Sequence, residues 1–293
     1  MSLKNEGVDV VFGYPGGAVL TLYDAVYKMK FPHILTRHEQ GAVHAADGYA
    51  RATGKVGVVF ATSGPGATNL VTGISTAYTD SVPLVCITGQ VANSYIGKDS
   101  FQEADVCGIT TPITKHNYLV KKVEDLPRVL KEAFYIARTG RPGPVVVDVA
   151  KDVFDAKIDY AYPESVHLRG YTGENIGDET EIDAVVEALR AAKKPLIFAG
   201  GGVILSETAG VLQDIVRRLG APSTATLLGL GAIPADEKGF LSFAGMHAPT
   251  VQHGHPGVRP AALHRHALQR PRDGQGLGVR AACEDRPLRD RPR

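Results

Sequence analysis

Glu39 is the side chain that most needs a chemical explanation, because an acid at the start of an apolar helical pattern is costly to bury. It lies in TRHEQGAVHAADGYARATGK (36–55), between a β-type run and a helical pattern, with His38 and His44 nearby. The histidines of HEQGAVH are six residues apart, whereas the zinc motif HExxH places them at i and i+4 on one helical face. We therefore interpret both histidines as local hydrogen-bonding groups. For Glu39, compensation of the helix dipole, worth roughly 0.3–1 kcal/mol, and a role as a catalytic acid both stay open.

Two glycine-rich turns are candidate ligand sites. GYPGGAVL (13–20) and TSGPGATNL (62–70) each follow a β-type run and open a helical pattern. Glycines let backbone amides approach a ligand closely, and a helix N-terminus favours negative charge. Neither turn is a GxxxxGK[ST] phosphate loop or a GxGxxG fingerprint, which disfavours an NAD-dependent dehydrogenase. Each turn, taken alone, is equally consistent with a plain tight connection.

The stretch KDSFQEAD (98–105) lies between a strand pattern and a loop rich in Thr and Pro. An exposed Phe101 beside Gln102 would offer an apolar wall together with an amide, which suits a substrate or a cofactor. An ordinary surface loop fits this stretch nearly as well.

Two further stretches carry candidate binding groups. RPGPVVVDVAKDV (141–153) places Lys151 just past the carboxyl end of a strand, where open α/β sheets bind ligands. Arg141, before that strand, either pairs with an anionic group or is simply solvated. FAGGGVI (198–204) is a weak glycine-turn signal for a nucleotide phosphate.

The elements that must position these residues alternate between strand and helix patterns. Runs rich in Val and Ile, typical of strands buried on both faces of a parallel sheet, are VDVVF (8–12), HILT (33–36), VGVVFAT (56–62), PLVCITG (83–89) and PVVVDV (144–149). Segments with helical spacing are AVLTLYDAVYKM (18–29), GAVHAADGYARAT (41–53), ATNLVTGISTAYTD (67–80) and EDLPRVLKEAFYIAR (124–138). This order predicts a doubly wound α/β domain over residues 1–160.

A second, partial α/β domain is expected over residues 178–247, after a polar linker at 161–177. Its expected elements are a helix at Glu179–Ala192, a strand running into a glycine turn at 195–202, a helix at Ser206–Leu219, and a strand with a loop at 221–234.

The composition changes after His247. Residues 248–293 contain nine Arg, six Pro and four His, but no Lys, Ile, Phe, Tyr or Asn. One interpretation is a disordered basic tail that contacts RNA. The loss of every residue type with AT-rich codons instead favours GC-rich DNA read out of frame. Moving the frame of LQRPRDGQG (268–276) by one base yields FNDRVTGK, so we predict an out-of-frame, disordered tail.

The bulk composition disfavours several classes of protein. With 293 residues, 44% of them hydrophobic, and a formal net charge of +1, nothing suggests a nucleic acid or an anionic membrane as partner. No run reaches the roughly 20 apolar residues that cross a bilayer, and no signal-peptide core precedes the first strand pattern. Cys86, Cys107 and Cys283 form neither a CxxC pair nor a disulfide framework. We expect a cytoplasmic protein.

Taken in order, these stretches resemble the catalytic subunit of acetolactate (acetohydroxyacid) synthase, a thiamine-diphosphate enzyme. The stretches that carry the resemblance are VFGYPGGAVLTLYDA, TRHEQGAVHAADGYARATGKVGVVFATSGPGATNLVTGI, PLVCITGQV, IGKDSFQEAD, GRPGPVVVDVAKDV and LLGLGAIP followed by GMH. The likeness runs from Lys4 to His247, and FNDRVTGK resembles the family's sequence beyond GMH. The resemblance implies a pyrimidine-binding domain followed by a central domain that binds FAD. The family's diphosphate-binding domain, with its Mg²⁺ site, is expected to be missing.

The resemblance also implies roles for individual residues. Glu39 would hydrogen-bond N1′ of the aminopyrimidine and so promote removal of the proton from thiazolium C2. Gln102 and Lys151 are the other implied catalytic residues, and Phe101 and Gln102 would face the substrate. The other implied contacts to thiamine diphosphate are Gly16, Gly17, Ala18, Ser63, Gly64, Pro65, Gly66 and Asn69. The implied contacts to the structural FAD are Arg141, Gly200, Gly201, Gly202, Met246 and His247.

Enzymes of this family decarboxylate pyruvate and join the hydroxyethyl unit to a second 2-keto acid. By the resemblance, a full-length subunit would form a homodimer or tetramer and bind a regulatory subunit. Each site would lie between the pyrimidine domain of one subunit and the diphosphate domain of another, so the chain alone is expected to be inactive. The alternatives are another thiamine-diphosphate decarboxylase of 2-keto acids, a pyruvate oxidase, or a non-catalytic fragment that binds intact subunits. FQEAD and GRPGPVVVDVAKDV argue against the first two.

Overall fold

The computed structural model describes residues 1–171, 173 and 178–245. The chain divides into two compact units between Glu174 and Asn175, within the segment expected to be a linker. Met246, His247 and the tail at 248–293 lie outside the described residues.

The first unit is built on a six-stranded sheet in which every neighbouring pair is parallel, as the alternating pattern predicts. Its strands are β1 (Val11–Gly13), β2 (His33–Leu35), β3 (Gly57–Ala61), β4 (Leu84–Gln90), β5 (His116–Val120) and β6 (Pro144–Ala150). Their order across the sheet is β2-β1-β3-β4-β6-β5. The order reverses between β1 and β3, and such a switch point leaves a crevice outside the carboxyl ends of the strands.

Apolar side chains fill both faces of this sheet. Alternate residues of β3 point to opposite sides, so that Val58 and Phe60 join one buried cluster while Val59 and Ala61 join the other. The helices of the unit are α1 (Ser2–Asn5), α2 (Leu20–Lys28), α3 (Glu39–Thr53), α4 (Pro65–Thr68), α5 (Val71–Asp80), α6 (Val106–Thr110), α7 (Leu126–Arg138) and α8 (Lys151–Asp155). The first cluster includes Phe134 of α7, and the second is covered by α3 and α5.

Several elements differ from the sequence-based expectation. The first strand begins at Val11 rather than Val8. β2 is an edge strand, and Leu35 is 58% exposed, so the expectation of burial on both faces is wrong there. The helix expected at 67–80 is two helices. The break falls at Asn69, whose side chain donates a hydrogen bond to Glu39. β5 was not expected, because HNYLV is half polar and pairs only with β6 at the other edge.

The chain after α8, as far as residue 171, belongs to the first unit and packs against its other elements. Residues 156–171 form neither helix nor strand. The Tyr162 hydroxyl donates to the Glu6 carboxylate over 2.7 Å. The same carboxylate also pairs with Lys131 at 3.0 Å. The Tyr171 hydroxyl donates to the carbonyl of Thr139 over 3.0 Å.

The second unit contains a three-stranded parallel sheet in the order β7-β8-β9. Its elements are α9 (Glu179–Ala191), β7 (Ile197–Ala199), α10 (Gly201–Leu205), α11 (Ala209–Leu219), β8 (Ser223–Ala225) and β9 (Phe240–Phe243). Three expectations need correction: the glycines at 201–202 open a short helix instead of a turn, the next helix begins three residues late at Ala209, and β9 was not expected. None of the helices in the described part of the chain combines the length and apolar character needed to span a bilayer.

Candidate functional site

The two glycine-rich turns meet at the switch point of the sheet. The first follows β1 and the second follows β3, and these strands are neighbours. Thr62 lies between the turns: its Oγ1 accepts a hydrogen bond from the backbone of Ala18 over 3.2 Å. A Cβ placed on Gly16 would lie 2.5 Å from the Thr62 side chain, so glycine is required for the turns to touch. Thr62 was not singled out from the sequence, although it is the first polar residue after a buried strand.

Glu39 is the first residue of α3 and is only 7% exposed. His38 precedes it as the N-cap, and its Nδ1 accepts a hydrogen bond from the backbone of Gln40 over 3.1 Å. The interpretation of His38 as a local hydrogen-bonding group is confirmed. The positive end of the helix dipole favours a negative charge at this position.

The carboxylate of Glu39 is only half satisfied. Asn69 Nδ2 donates to Oε2 over 2.9 Å, while Oε1 accepts no hydrogen bond from any of the described residues. A Cβ on Gly66 would lie 3.2 Å from Oε1 and 2.7 Å from Thr62 Cγ2, so the bare backbone of Gly66 lets the carboxylate lie against the second turn. A carboxylate oxygen that accepts from none of the described residues is available for a donor on a ligand.

Gln102 lies against the same turn. Gly64 has a φ of 56°, and a Cβ there would lie 2.5 Å from the backbone oxygen of Gln102. Phe101 is 88% exposed, as the sequence predicts. In the same turn Ser63 is buried and Pro65 is exposed. The structure thus gathers the second turn, Asn69, Glu39 and the backbone of Gln102 at one place.

Other predicted residues lie elsewhere. Lys151 is exposed and begins α8 directly after β6, which confirms its place at a carboxyl strand end. Arg141 precedes β6 and therefore lies at the opposite, amino edge of the sheet from Glu39. Its Nε donates to Ser81 Oγ over 2.6 Å, and its terminal nitrogen donates to the carbonyl of Thr79 over 3.2 Å.

The remaining predicted glycines differ in their exposure and in the space beside them. Gly17 is exposed, and a Cβ added there would meet nothing within 4 Å. In the second unit, Gly200 is the N-cap of α10 and also faces open space. A Cβ on Gly201 would lie 3.0 Å from Leu228 Cβ, so this residue serves packing, whereas Gly202 is exposed.

A buried acid lies beside this region. Asp148 of β6 is 1% exposed and accepts hydrogen bonds from Thr88 Oγ1 over 2.6 Å and Gln90 Nε2 over 3.0 Å. Gln90 Nε2 also donates to the carbonyl of Ala104 over 2.7 Å. Burial raises the pKa of Asp148 to about 7, against the smaller opposing effect of its hydrogen bonds.

The raised pKa of Asp148 predicts a pH-dependent stability. An unfolded aspartate has a pKa of about 3.9, so the folded chain binds more protons than the unfolded chain between about pH 4 and pH 7. The contribution of Asp148 to the free energy of unfolding therefore falls as the pH rises through this window, by at most about 1.4 kcal/mol per pH unit. We expect Asp148→Asn to remove this slope in urea unfolding measured across the window. Asp24→Asn, at an exposed residue, is the matched control and should keep the slope, and an identical slope in both variants would contradict the prediction.

Comparisons with known proteins place both units of the chain among thiamine pyrophosphate enzymes. Residues 1–109 match the N-terminal TPP binding domain of thiamine pyrophosphate enzymes, and residues 182–254 match their central domain. The acetolactate synthase large subunit of Haemophilus influenzae is 57% identical over 249 residues, covering 84% of this chain and 44% of the relative. The isozyme 3 large subunit of Escherichia coli is 53% identical, with 84% and 43% covered.

A solved structure shares the fold. It is described as a thiamin diphosphate-dependent enzyme of Mycobacterium smegmatis, and it superposes with a TM-score of 0.73 at 25% identity, over 84% of this chain and 47% of that one. The chain therefore spans less than half the length of each of these relatives.

Proposed function

We propose, since the chain belongs to the thiamine pyrophosphate enzyme family, that its first unit forms the aminopyrimidine side of a thiamine diphosphate site in an acetolactate synthase large subunit. The observation that carries the proposal is the Glu39 carboxylate of a buried residue: Asn69 fixes one oxygen, and the other accepts from none of the described residues. The names of the curated relatives favour this activity over a decarboxylase or a pyruvate oxidase.

The residues present fit the cofactor's pyrimidine ring. A protonated ring nitrogen needs an acceptor, and Glu39 Oε1 is a carboxylate oxygen beside Gly66, which has no side chain to cover it. Charge-assisted hydrogen bonds of this kind are strong, and low local dielectric strengthens them further. When bound, thiamine diphosphate supplies the electron sink for decarboxylation of a 2-keto acid.

The chain's own residues would act in three ways. Glu39 holds the proton of the ring nitrogen at Oε1, because Asn69 already occupies Oε2 and fixes the orientation of the carboxylate. Phe101 offers an apolar wall, and the Gln102 amide can donate to an oxygen of pyruvate or the second 2-keto acid. Lys151, at the carboxyl edge of the sheet, attracts these anionic substrates.

The proposed FAD and Mg²⁺ sites rest on the family. Arg141 and Gly200 to Gly202 remain proposed FAD contacts, together with Met246 and His247 outside the described residues. The open space beside Gly200 and the exposure of Gly202 leave room for a ligand. No cluster of three metal-ligating side chains occurs in the described part of the chain. We propose that the Mg²⁺ site lies in the part of the relatives that this chain does not cover. Homodimers or tetramers and a regulatory subunit are proposed partners of the whole protein.

The proposal is tested with a chimera that joins residues 1–245 of this chain to the part of the Haemophilus influenzae relative beyond its matched region. With thiamine diphosphate, Mg²⁺ and FAD, the chimera should form acetolactate from pyruvate, whereas the 293-residue chain alone should form none. A folded but inactive chimera would overturn the proposed activity. Turnover by the chain alone would overturn the proposal that it holds only one side of the site.

A further inference from the structure

The carboxylate of Glu103 is surrounded by donors from its own loop. It accepts hydrogen bonds from the backbone of Gly97, from the backbone of Lys98 over 3.3 Å and from the backbone of Ser100 over 2.9 Å, with Ser100 Oγ a fourth donor at 3.2 Å. No basic side chain is among these partners. Successive backbone amides of this kind form a nest that binds an anion, and here the anion is part of the chain. These amides lower the pKa of Glu103, Ser100 contributing most.

This nest holds a backbone conformation that would otherwise be unfavourable. Asp99 has a φ of 53° and Gln102 a φ of 59°, and both values lie in the left-handed region that residues other than glycine seldom adopt. The two residues bracket Ser100 and Phe101. Such conformations persist only where the surroundings hold them, and they cluster at binding sites.

The C-terminal end of the loop is held against the sheet at two places. The backbone of Gln102 lies against Gly64 in the second turn, where a Cβ would come within 2.5 Å of the Gln102 oxygen. On the other side of Glu103, the carbonyl of Ala104 accepts a hydrogen bond from buried Gln90 over 2.7 Å. The exposed Phe101 ring therefore projects from a loop that is ordered before any ligand arrives.

We propose that Glu103 is a positioning residue, whose carboxylate pre-organises the loop from Gly97 to Gln102 so that Phe101 and Gln102 are held ready for the substrate. The inference rests on the proposed function for the identity of that substrate, an anionic 2-keto acid. The effect of Glu103 on the order of the loop does not depend on that identity and is measurable without turnover.

The first experiment measures loop order in the full chain. The chain contains no Trp, so Phe101→Trp gives a single fluorescent reporter at the tip of the loop. Adding Glu103→Gln places an amide donor against the amide donors of the nest, and we expect about tenfold faster hydrogen exchange at Gly97, Lys98 and Ser100. Acrylamide should also quench the reporter more strongly. Glu124→Gln is the matched control, since it removes the same charge from an exposed site and should change neither measurement.

The second experiment measures turnover in the chimera with Phe101 intact. If the loop must order upon binding, Glu103→Gln raises the KM for pyruvate by about tenfold and leaves kcat within about twofold. A merely structural role would lower kcat through loss of folded protein and leave KM unchanged. Unchanged exchange and quenching in Glu103→Gln, or a loss of kcat alone, would overturn the inference. A wild-type chimera without turnover would overturn the proposed function, while the exchange experiment would still decide the role of Glu103 in ordering the loop.

Discussion

Glu39→Gln is expected to lower acetolactate formation by the chimera about 10²–10⁴-fold, the usual contribution of a positioned proton-transfer group. The glutamine oxygen can still accept from Asn69, so its amide nitrogen then occupies the position of Oε1. That nitrogen is a donor and cannot accept a ring proton. The substitution also removes the negative charge that stabilises the protonated ring. Steady-state assays at saturating cofactor separate this effect from weaker cofactor binding.

The folded state should not suffer from this substitution. Removing a buried charge with a single hydrogen-bond partner relieves a desolvation cost, which offsets the loss of roughly 0.3–1 kcal/mol from the helix dipole. We therefore expect equal or slightly higher thermal stability for Glu39→Gln. Glu124→Gln, far from the site in sequence and exposed, should retain full activity. A Glu39→Gln chimera with more than about a tenth of the wild-type rate would contradict the assignment of Glu39 as the proton-holding group.

The sequence could predict Glu39 as a candidate, but not its half-satisfied state. The zinc motif was excluded by spacing alone, and the resemblance then gave the acid a role. That Asn69 takes one oxygen, and that Gly66 leaves room beside the other, depends on how two turns from different strands pack. Contacts between residues distant in sequence carry no local pattern. The nest around Glu103 is formed by residues close in sequence, but it was not foreseen either, because backbone amides have no sequence signature.

The fold was predicted best where the hydrophobic pattern was strongest. β3, β4 and β6 are buried along their whole length, so their runs of Val and Ile are unambiguous. The edge strand β5, whose sequence is HNYLV, carries polar residues because one of its sides meets solvent, and it was missed. Ends of elements were also misplaced, as at Ala209, because the start of a helix depends on local backbone bonds more than on apolar spacing.

Phe134→Ala is expected to lower the free energy of unfolding of the first unit by about 3–5 kcal/mol. Phe134 is fully buried on α7, in the cluster that includes Val145 and Val147 of β6. Loss of the ring removes its transfer free energy and leaves a cavity that the rigid sheet cannot close. A domain is stable by only about 5–15 kcal/mol, so a large part of that margin is lost.

The matched control uses the same residue type at the opposite extreme of burial. Phe101 is 88% exposed, and Phe101→Ala should change the free energy of unfolding by no more than about 0.5 kcal/mol. The two substitutions remove identical atoms, so the difference between them isolates the effect of burial in the layer between α7 and the sheet. Urea unfolding, monitored by circular dichroism, gives the free energy of unfolding of both variants. A difference below about 1 kcal/mol would contradict the packing described for this face of the sheet. Because Lys151 directly follows β6, on which α7 packs, loosening α7 should also weaken the chimera's turnover, whereas Phe101→Ala should affect turnover without affecting stability.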